Sequence, residues 1–383
     1  MKFQILWLTL ILVCTSNLYV SAKNSLLKEN ISKRDYSSWN DKIFAPYLYV
    51  DSGNKLDINY VMETTGQKYF TYAFMNALNK NGKEIPSWND DKSRKGYEYN
   101  AGKYDREIED IRNNGGDIII SFGGYGGREL ATVINDEDDL YNAYKSVIEY
   151  YNLSWIDLDI EGNNVMNEEA NEHRNNVMLR LQNDYPNLVI TYCLQATYST
   201  GITKDAMKIL RHAKDIGLRV DVVNVMAMNY GSRTPNGDSY MGKYAIYTAQ
   251  KAKDQLEEIE LYDTKIGITP MIGKNDSKGL TFYPENAEEV LEFAKENDWI
   301  RLLAFWAINR DNGDGEYAQN VSSMHSSIHQ ELFEFTTIFE KFNHSNEPYE
   351  PYEPYEPYEP YEPYEPYEPY EPYEPNDPYE KKY

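Results

Sequence analysis

The stretch from Trp155 to Gly162, WIDLDIEG, carries three acids at alternating positions. Side chains alternate between the two faces of a strand, so Asp157, Asp159 and Glu161 would project to one side and the apolar residues between them to the other. Successive carboxylates on that face lie about 7 Å apart, close enough to repel when charged. The pattern indicates acid–base chemistry or cation binding, and the alternative is a half-solvated edge strand with a polar face.

A cation site would use the same carboxylates, because calcium and magnesium prefer oxygen ligands. A linear row at i, i+2 and i+4 does not form a cage around an ion, and no histidines cluster near it in the sequence. We therefore predict neither a metal nor a cofactor for this site.

Short apolar runs alternate with longer helix-like stretches through the middle of the chain. The runs cover residues 43–50, 69–75, 117–122, 155–161, 188–194, 220–228, 265–272 and 302–308. Helices are predicted at 104–112, 138–151, 168–182, 204–212, 244–259 and 287–297, with a final helix over 317–339. Eight β/α alternations predict an α/β fold, a (β/α)8 TIM barrel, and a doubly wound open sheet is the alternative.

The barrel hypothesis gives the acid row a direction. Active sites of such barrels lie at the C-terminal ends of the strands. Glu161 ends the fourth run, so the row would rise toward that face with Glu161 outermost and Asp157 deepest.

Both ends of the chain differ in composition from the barrel. Residues 1–22 are typical of a secretory signal, with Lys2, a short apolar run and a small-residue cleavage site, and residues 23–40 form a polar lead-in. The barrel is predicted over 41–342. The remainder, 343–383, contains nine Glu-Pro-Tyr triplets, and its recurring proline predicts a disordered, extended tail.

The net charge of the chain and the composition of its two ends indicate where the protein acts and which partners it lacks. A net charge of −24 argues against nucleic-acid and anionic-membrane partners. We expect a secreted, extracellular, monomeric protein. Its tail is either a solvated spacer or a segment that binds polysaccharide or cell wall.

Several motifs, each on a predicted strand, resemble those of glycoside hydrolase family 18, the chitinases and their relatives. The acid row resembles the family's D-x-D-x-E signature. SFGG at Ser121–Gly124 resembles its S-x-G-G motif, and VNVMAMNYG at Val223–Gly231 its sixth-strand motif. FAPY (Phe44–Tyr47), TPMIGKND (Thr269–Asp276) and FWAINRD (Phe305–Asp311) resemble a subgroup of chitinases.

The resemblance implies catalytic roles for four residues. In this family the 2-acetamido group of the substrate acts as nucleophile. Glu161 would be the proton donor, its pKa raised by its like-charged neighbour. Asp159 would orient the acetamide, Asp157 would share a proton with Asp159 so that the pair titrates jointly, and Tyr230 would hydrogen-bond the acetamide.

The resemblance also implies substrate-binding residues. Trp306 would form the floor of the sugar site with Met226 and Asn229 nearby, and Phe74 and Trp88 are further candidates for its walls. Asn229 replaces an Asp of the subgroup pattern Met-x-Met-Asp-Tyr. A second departure is Trp155, whose ring we expect between the barrel and the helices.

Together these features predict a secreted chitinase that cleaves internal β-1,4 bonds between N-acetylglucosamine units of chitin or chitooligosaccharides with retention of configuration. Two alternatives remain. One is an endo-β-N-acetylglucosaminidase acting on N-glycans. The other is a non-catalytic chitin-binding lectin on the same barrel, although such proteins typically lack the terminal Glu that this chain keeps as Glu161.

Overall fold

Eight parallel strands form a barrel in the computed structural model, which describes residues 39–50, 56–88, 102–231, 234–235 and 237–344. We number them β1 (Ile43–Phe44 and Tyr47–Tyr49), β2 (Tyr69–Lys80), β3 (Asp117–Gly123), β4 (Trp155–Ile160), β5 (Val189–Thr197), β6 (Val222–Met226), β7 (Lys265–Thr269) and β8 (Ile300–Leu303). Each strand pairs with the next one along the chain, so every predicted run contains a barrel strand.

The two segments of β1 close the barrel because they pair on opposite sides. Ile43 lies opposite Leu302 of β8, and Tyr47 lies opposite Thr71 of β2. Pro46 between them has no N–H, but its carbonyl accepts a hydrogen bond from the Thr71 N–H at 3.0 Å. The (β/α)8 barrel is therefore confirmed, and the open sheet is wrong.

Helices follow the strands in the order α1 (Ile58–Thr65), α2 (Asp105–Asn113), α3 (Glu137–Tyr151), α4 (Glu168–Asp184), α5 (Lys204–Asp215), α6 (Met241–Glu258), α7 (Pro284–Glu296) and α8 (Glu334–Glu340). The predictions for α2 to α7 are confirmed, whereas α1 was not predicted. Its start is stabilised by Asp57, whose carboxylate accepts hydrogen bonds from the N–H groups of Asn59 at 3.0 Å and Tyr60 at 3.3 Å. No helix in the described ranges has the length and apolar character needed to cross a bilayer.

The predicted helix over 317–339 is wrong for most of its length, because only Glu334–Glu340 is helical. The segment before α8 is rich in serine, and there the Ser322 hydroxyl accepts a hydrogen bond from the Met324 N–H at 3.0 Å. Such local bonds between side chain and backbone compete with helix formation.

An apolar cluster fills the base of the barrel, and Trp155 of β4 is part of it. The cluster takes residues from seven of the eight strands, namely Ile43, Tyr69, Ile119, Trp155, Val189, Val222 and Leu302, together with Trp39 and Ala45. The fully buried Trp155 ring lies 5.0 Å from that of Trp39, which lies 5.2 Å from Tyr69. We call Trp39, Tyr69 and Trp155 the basal plug. A position of Trp155 between barrel and helices is wrong, because alternation places it on the same inward face as Asp157.

The ends of the described chain meet beside β1. The Phe44 N–H donates to the Asn343 side chain at 2.7 Å, and the Asn40 side chain donates to the Asn343 carbonyl at 3.2 Å. These contacts extend the barrel slightly beyond the predicted 41–342. The predicted signal at 1–22 lies outside the described residues, as do all but the last two residues of the lead-in and all but the first two of the tail.

Candidate active site

The acids of β4 rise from the barrel interior into an open cleft at the C-terminal ends of the strands. Asp157 and Asp159 are 2% and 5% exposed, whereas Glu161, directly after β4, is partly exposed. Asp159 and Glu161 line the cleft, which has a volume of about 750 Å³, and Asp157 lies beneath it. The row therefore has the predicted order, with Glu161 at the rim.

Asp157 is held by hydroxyl groups from two other strands. The Ser121 hydroxyl of β3 donates to Asp157 Oδ2 at 2.6 Å, and the Tyr47 hydroxyl of β1 donates to the same oxygen at 3.0 Å. The Asn224 amide of β6 donates to the Tyr47 oxygen at 3.1 Å. Burial raises the pKa of Asp157 to about 7, although the two hydroxyl donors act to lower it. The carboxyl group is therefore fixed in place and close to half-protonated at neutral pH.

The carboxyl groups of Asp159 and Glu161 lie close enough to affect each other's pKa. Burial, followed by the charges of Glu161 and Asp157, raises the pKa of Asp159 well above its ordinary range. Burial also raises the pKa of Glu161, and the Asp276 carboxylate raises it further, while the hydrogen bonds from Asp159 and the Tyr125 N–H lower it. The raised pKa of Glu161 agrees with the prediction, but its causes are burial and Asp276 rather than the neighbouring Asp159.

Burial of Asp157 makes the stability of the fold depend on pH. Its pKa is about 7 in the folded protein and about 3.9 for an unfolded aspartate. The stabilisation is therefore fully present below about pH 4 and is lost as the pH rises through about 7. We expect the free energy of unfolding of the wild type to fall by about 2–3 kcal/mol more than that of the Asp157→Asn variant between about pH 5 and pH 8, measured by urea denaturation.

The exposed Asp215, at the end of α5, provides the matched control. Asp215→Asn should leave the pH dependence of the wild type unchanged. Equal pH slopes for the wild type and Asp157→Asn would contradict the raised pKa of Asp157.

Gly123 and Gly124 allow the end of β3 to approach the acid row. Their φ angles are 109° and 86°, a region that side chains disfavour. A Cβ atom on Gly123 would lie 2.2 Å from the Asp159 carbonyl oxygen, and one on Gly124 would lie 2.5 Å from the Phe74 ring. Without these side chains, the Gly124 N–H donates to the Asp159 carbonyl at 3.0 Å and fixes the backbone of β4.

Aromatic rings form the floor of the cleft. The Trp306 ring stacks on Phe74 with centroids 5.4 Å apart and planes inclined by 12°. The rings of Tyr49 and Tyr47 lie 5.4 Å and 6.0 Å from Trp306. The structure thus places both Trp306 and Phe74 beside the acid row, where the sequence predicted a sugar-binding surface.

Met226 and Asn229, at and after the end of β6, also line the cleft. The Asn229 amide nitrogen donates to Asp276 Oδ2 at 3.1 Å, and its amide oxygen accepts from the Ser277 N–H at 3.1 Å. Asn229 therefore connects the end of β6 to the loop after β7.

Tyr230 does not reach the acid row, which contradicts its predicted catalytic position. Its ring packs edge-on against Tyr198 and Tyr244, at 5.4 Å and 5.9 Å, and its hydroxyl is hydrogen-bonded to Thr248 of α6 at 2.9 Å. The preceding Asn229 has a left-handed φ of 53°, which turns the chain. The Tyr230 side chain consequently lies against α6, and it is not one of the cleft-lining residues.

Trp88 is also misplaced by the sequence prediction. It ends a strand, Lys83–Trp88, that pairs antiparallel with the extension of β2. The side chain is 4% exposed and packs against Tyr72 and Tyr104, and its indole N–H donates to the Tyr151 hydroxyl of α3 at 2.9 Å. Trp88 is therefore a core residue under the hairpin and not a wall of the cleft.

Sequence reasoning missed several residues of the cleft, among them Tyr47, Tyr125 and Asp276. Tyr125 follows the SFGG motif directly, is 82% exposed, and supplies a backbone N–H to Glu161. Tyr47 and Asp276 are the last residues of the FAPY and TPMIGKND motifs. The available signal was their position at the end of a recognised motif or directly after one.

A second cavity, of about 720 Å³, lies at the opposite end of the barrel and includes none of the acid row. Its lining is strongly charged, with Lys42, Arg219, Asp221, Asp298 and Arg301 among the contributing side chains. Over the parts of the chain that the structure describes, no three His, Cys, Asp or Glu side chains are arranged to hold a metal ion.

The family described as Glycosyl hydrolases family 18 matches residues 37–271. The chain is 28% identical over 325 residues to the "Probable bifunctional chitinase/lysozyme" of Escherichia coli (strain K12), a match that covers 80% of this chain and 35% of that protein. It is 28% identical over 291 residues to "Endochitinase 11" of Metarhizium anisopliae, covering 72% of this chain and 53% of that protein. The chain thus spans about a third and about half of the length of these relatives.

One solved structure is matched over nearly its full length. The fold is similar to active domain 2 of a thermostable chitinase from Pyrococcus furiosus, solved as catalytic-site mutants complexed with chito-oligosaccharides. The identity is 30%, the TM-score is 0.67, and the match covers 79% of this chain and 95% of that one.

Proposed function

The chain belongs to glycosyl hydrolases family 18, and from this membership we propose that it is a secreted, endo-acting chitinase. It would hydrolyse β-1,4 bonds between N-acetylglucosamine units by a retaining, substrate-assisted mechanism. The observation that carries the proposal is the arrangement of the acid row, in which Asp159 and Glu161 meet in a cleft whose floor is aromatic.

The first step of the proposed mechanism breaks the glycosidic bond. The acetamide carbonyl oxygen of the sugar attacks the anomeric carbon while the bond to the leaving oxygen breaks, so the enzyme needs no nucleophile of its own. The proton of Glu161 moves to the leaving oxygen. Burial favours this role, because it raises the pKa of Glu161 and keeps the group protonated at mildly acidic pH.

Asp159 would act on the other side of the reaction centre. The cyclic intermediate carries positive charge on the former acetamide, and a carboxyl group in a buried site stabilises such charge strongly. Asp159 would release its proton toward Asp157, whose pKa burial raises to about 7 against the opposing hydrogen bonds from Ser121 and Tyr47. In the second step, water attacks the anomeric carbon as the bond from this carbon to the acetamide oxygen breaks, and the water gives its proton to the Glu161 carboxylate. The proton on Asp157 returns to Asp159 as the positive charge disappears, which restores the starting state.

The aromatic floor would bind the apolar face of a pyranose ring. We expect Trp306→Ala to lower kcat/KM on chitooligosaccharides about tenfold, because it removes a stacking contact that stabilises the bound sugar by about 1.5 kcal/mol. The measurement is steady-state hydrolysis of chitopentaose, followed by chromatography.

Trp88→Phe is the matched control, since Trp88 is buried but lies away from the cleft. This variant should lower the Tm through loss of the bond to Tyr151, with kcat/KM unchanged. If the two variants lost activity equally, a binding role for Trp306 would not stand.

Products from chitohexaose test the proposed function directly. The wild type should release shorter oligosaccharides, and NMR should detect them first as β anomers, as retention requires. Cleavage restricted to glycopeptides with an N,N′-diacetylchitobiose core would instead identify an endo-β-N-acetylglucosaminidase. Binding to chitin without cleavage would identify a lectin, and either result overturns the proposal.

Secretion rests on sequence alone, through the predicted signal at 1–22. Expression of the full chain in eukaryotic cells should place the protein in the medium with a new N-terminus near Lys23. Retention of the protein inside the cells with Met1 present would contradict this part of the proposal.

A further inference from the structure

Asn229 lies between the acid row and the loop after β7, and we propose that it is a positioning residue for catalysis. The Asn229 amide hydrogen-bonds the Asp276 carboxylate and holds it toward Glu161. Because Asn229 is not an acid, Asp276 is the only carboxylate of the Asn229–Asp276 pair. The inference rests on the proposed function, because it gives Asp276 an influence on the proton donor.

The hydrogen bonds of Asn229 join two loops at three points. Its backbone N–H donates to the Asn275 side chain at 3.0 Å, its amide nitrogen donates to Asp276 Oδ2 at 3.1 Å, and its amide oxygen accepts from the Ser277 N–H at 3.1 Å. Three consecutive residues of the loop after β7 are thus hydrogen-bonded to one residue of the loop after β6. Asn229 also adopts a left-handed φ of 53°, a conformation that Asn tolerates better than most residues.

An amide suits this position because it carries both a hydrogen-bond donor and a hydrogen-bond acceptor. The nitrogen is a donor and meets a carboxylate, whereas the oxygen is an acceptor and meets an N–H. An aspartate here, as in the subgroup pattern of the resembling chitinases, would place a second carboxylate against Asp276. Two such acids can pair only by sharing a proton. With Asn229, Asp276 has a donor whose state does not change with pH.

Glu161 is the group on which Asp276 acts. Groups from four elements face Glu161: Asp159 of β4, the Tyr125 N–H after β3, Cys193 of β5, and Asp276 after β7. After burial, the Asp276 charge is what raises the pKa of Glu161, and the hydrogen bonds from Asp159 and Tyr125 oppose it. The distance between Asp276 and Glu161 therefore affects the pKa of Glu161, and with it the fraction of this proton donor that is protonated at a given pH.

Arg310 is the cation that interacts with Asp276. It is 1% exposed, and its Nε and Nη1 atoms have no hydrogen-bond partner among the described residues. Its attraction for Asp276 partly offsets the burial that lowers the pKa of Arg310 to about 10. Asp276 is thus attracted by Arg310 and repelled by Glu161, and the Asn229 amide nitrogen hydrogen-bonds its carboxylate at 3.1 Å.

The test is a double-mutant cycle in which the measured quantity is the pKa of Glu161. The wild type, Asn229→Ala, Asp276→Asn and the double variant are titrated by carbon-detected NMR of labelled glutamate carboxyl groups, with the Glu161 signal assigned by its loss in Glu161→Gln. Asp276→Asn should lower the pKa of Glu161 by about half a unit to one unit. Asn229→Ala should lower it by part of that amount, and it should add nothing when Asp276 is already Asn.

Asn59→Ala is the matched control, because the Asn59 amide also donates to a carboxylate, that of Asp110, at 3.3 Å, on the outside of the barrel. It should leave the pKa of Glu161 unchanged. The alkaline limb of kcat/KM against pH should follow the NMR values in all variants. An unchanged Glu161 in Asn229→Ala, or an equal shift in both backgrounds, would overturn the inference. A wild type that lacks activity but shows the expected titrations would overturn only the proposed function.

Discussion

Replacement of Glu161 by Gln is expected to lower kcat on chitooligosaccharides by about 10²–10⁴-fold, the usual contribution of a positioned general acid. The amide has nearly the same shape, so the change removes the proton and leaves the cleft intact. Activity and Tm are measured together. Glu63→Gln, an exposed change on α1, should match the wild type in both.

A comparison of two substrates with different leaving groups distinguishes general-acid catalysis from other roles of Glu161. A dinitrophenyl leaving group is a stable anion and needs little protonation, so the loss in Glu161→Gln should be much smaller on a dinitrophenyl chitobioside than on chitopentaose. Equal rates for Glu161→Gln and the wild type on chitopentaose would refute the assignment of the proton donor.

Replacement of Asp159 by Asn is the second large effect that we expect. Asp159 lies beside Glu161 in the cleft and is 5% exposed, so a charge on it acts with little screening by water. Loss of this carboxyl group should reduce kcat by about 10²–10³-fold, comparable to the loss of one electrostatic contact to a transition state. The fold should persist, because the amide replaces a carboxyl group of the same size.

The same pair of substrates distinguishes Asp159 from Glu161. Asp159 would stabilise the cyclic intermediate, which forms whatever the leaving group is, so Asp159→Asn should lose similar factors on chitopentaose and on the dinitrophenyl chitobioside. A selective loss on chitopentaose would show that Asp159 acts mainly through the protonation of Glu161. Full activity on both substrates would remove Asp159 from the mechanism.

The barrel strands were predictable because each is a short apolar run with inward and outward faces. The order of Asp157, Asp159 and Glu161 followed from alternation along β4, a local rule that tertiary packing did not change. The contribution of Ser121 and Tyr47 to the pKa of Asp157 could not be predicted in the same way. The contact of Ser121 depends on the register between β3 and β4, and that of Tyr47 on closure of the barrel, which brings β1 close to β4.

The errors occur where the chain leaves regular structure. Tyr230 follows a residue with positive φ, and alternation no longer tells where the next side chain points. Trp88 lies on a hairpin that extends β2, a connection that a count of barrel repeats does not reveal. The influence of Asp276 on Glu161 requires two loops to meet, which no spacing within either loop encodes.

The basal plug beneath Asp157 gives the acid row a low-dielectric environment on its lower side. Along one face of β4, Trp155, Asp157, Asp159 and Glu161 pass from a dry aromatic layer to an open cleft, so the hydration of the acids rises step by step. The three rings of the basal plug are buried and are not among the residues that line the cleft. The proton affinity of the row is thus set partly from the far end of the barrel, where evolution or engineering could retune the working pH while leaving the substrate-facing surface untouched.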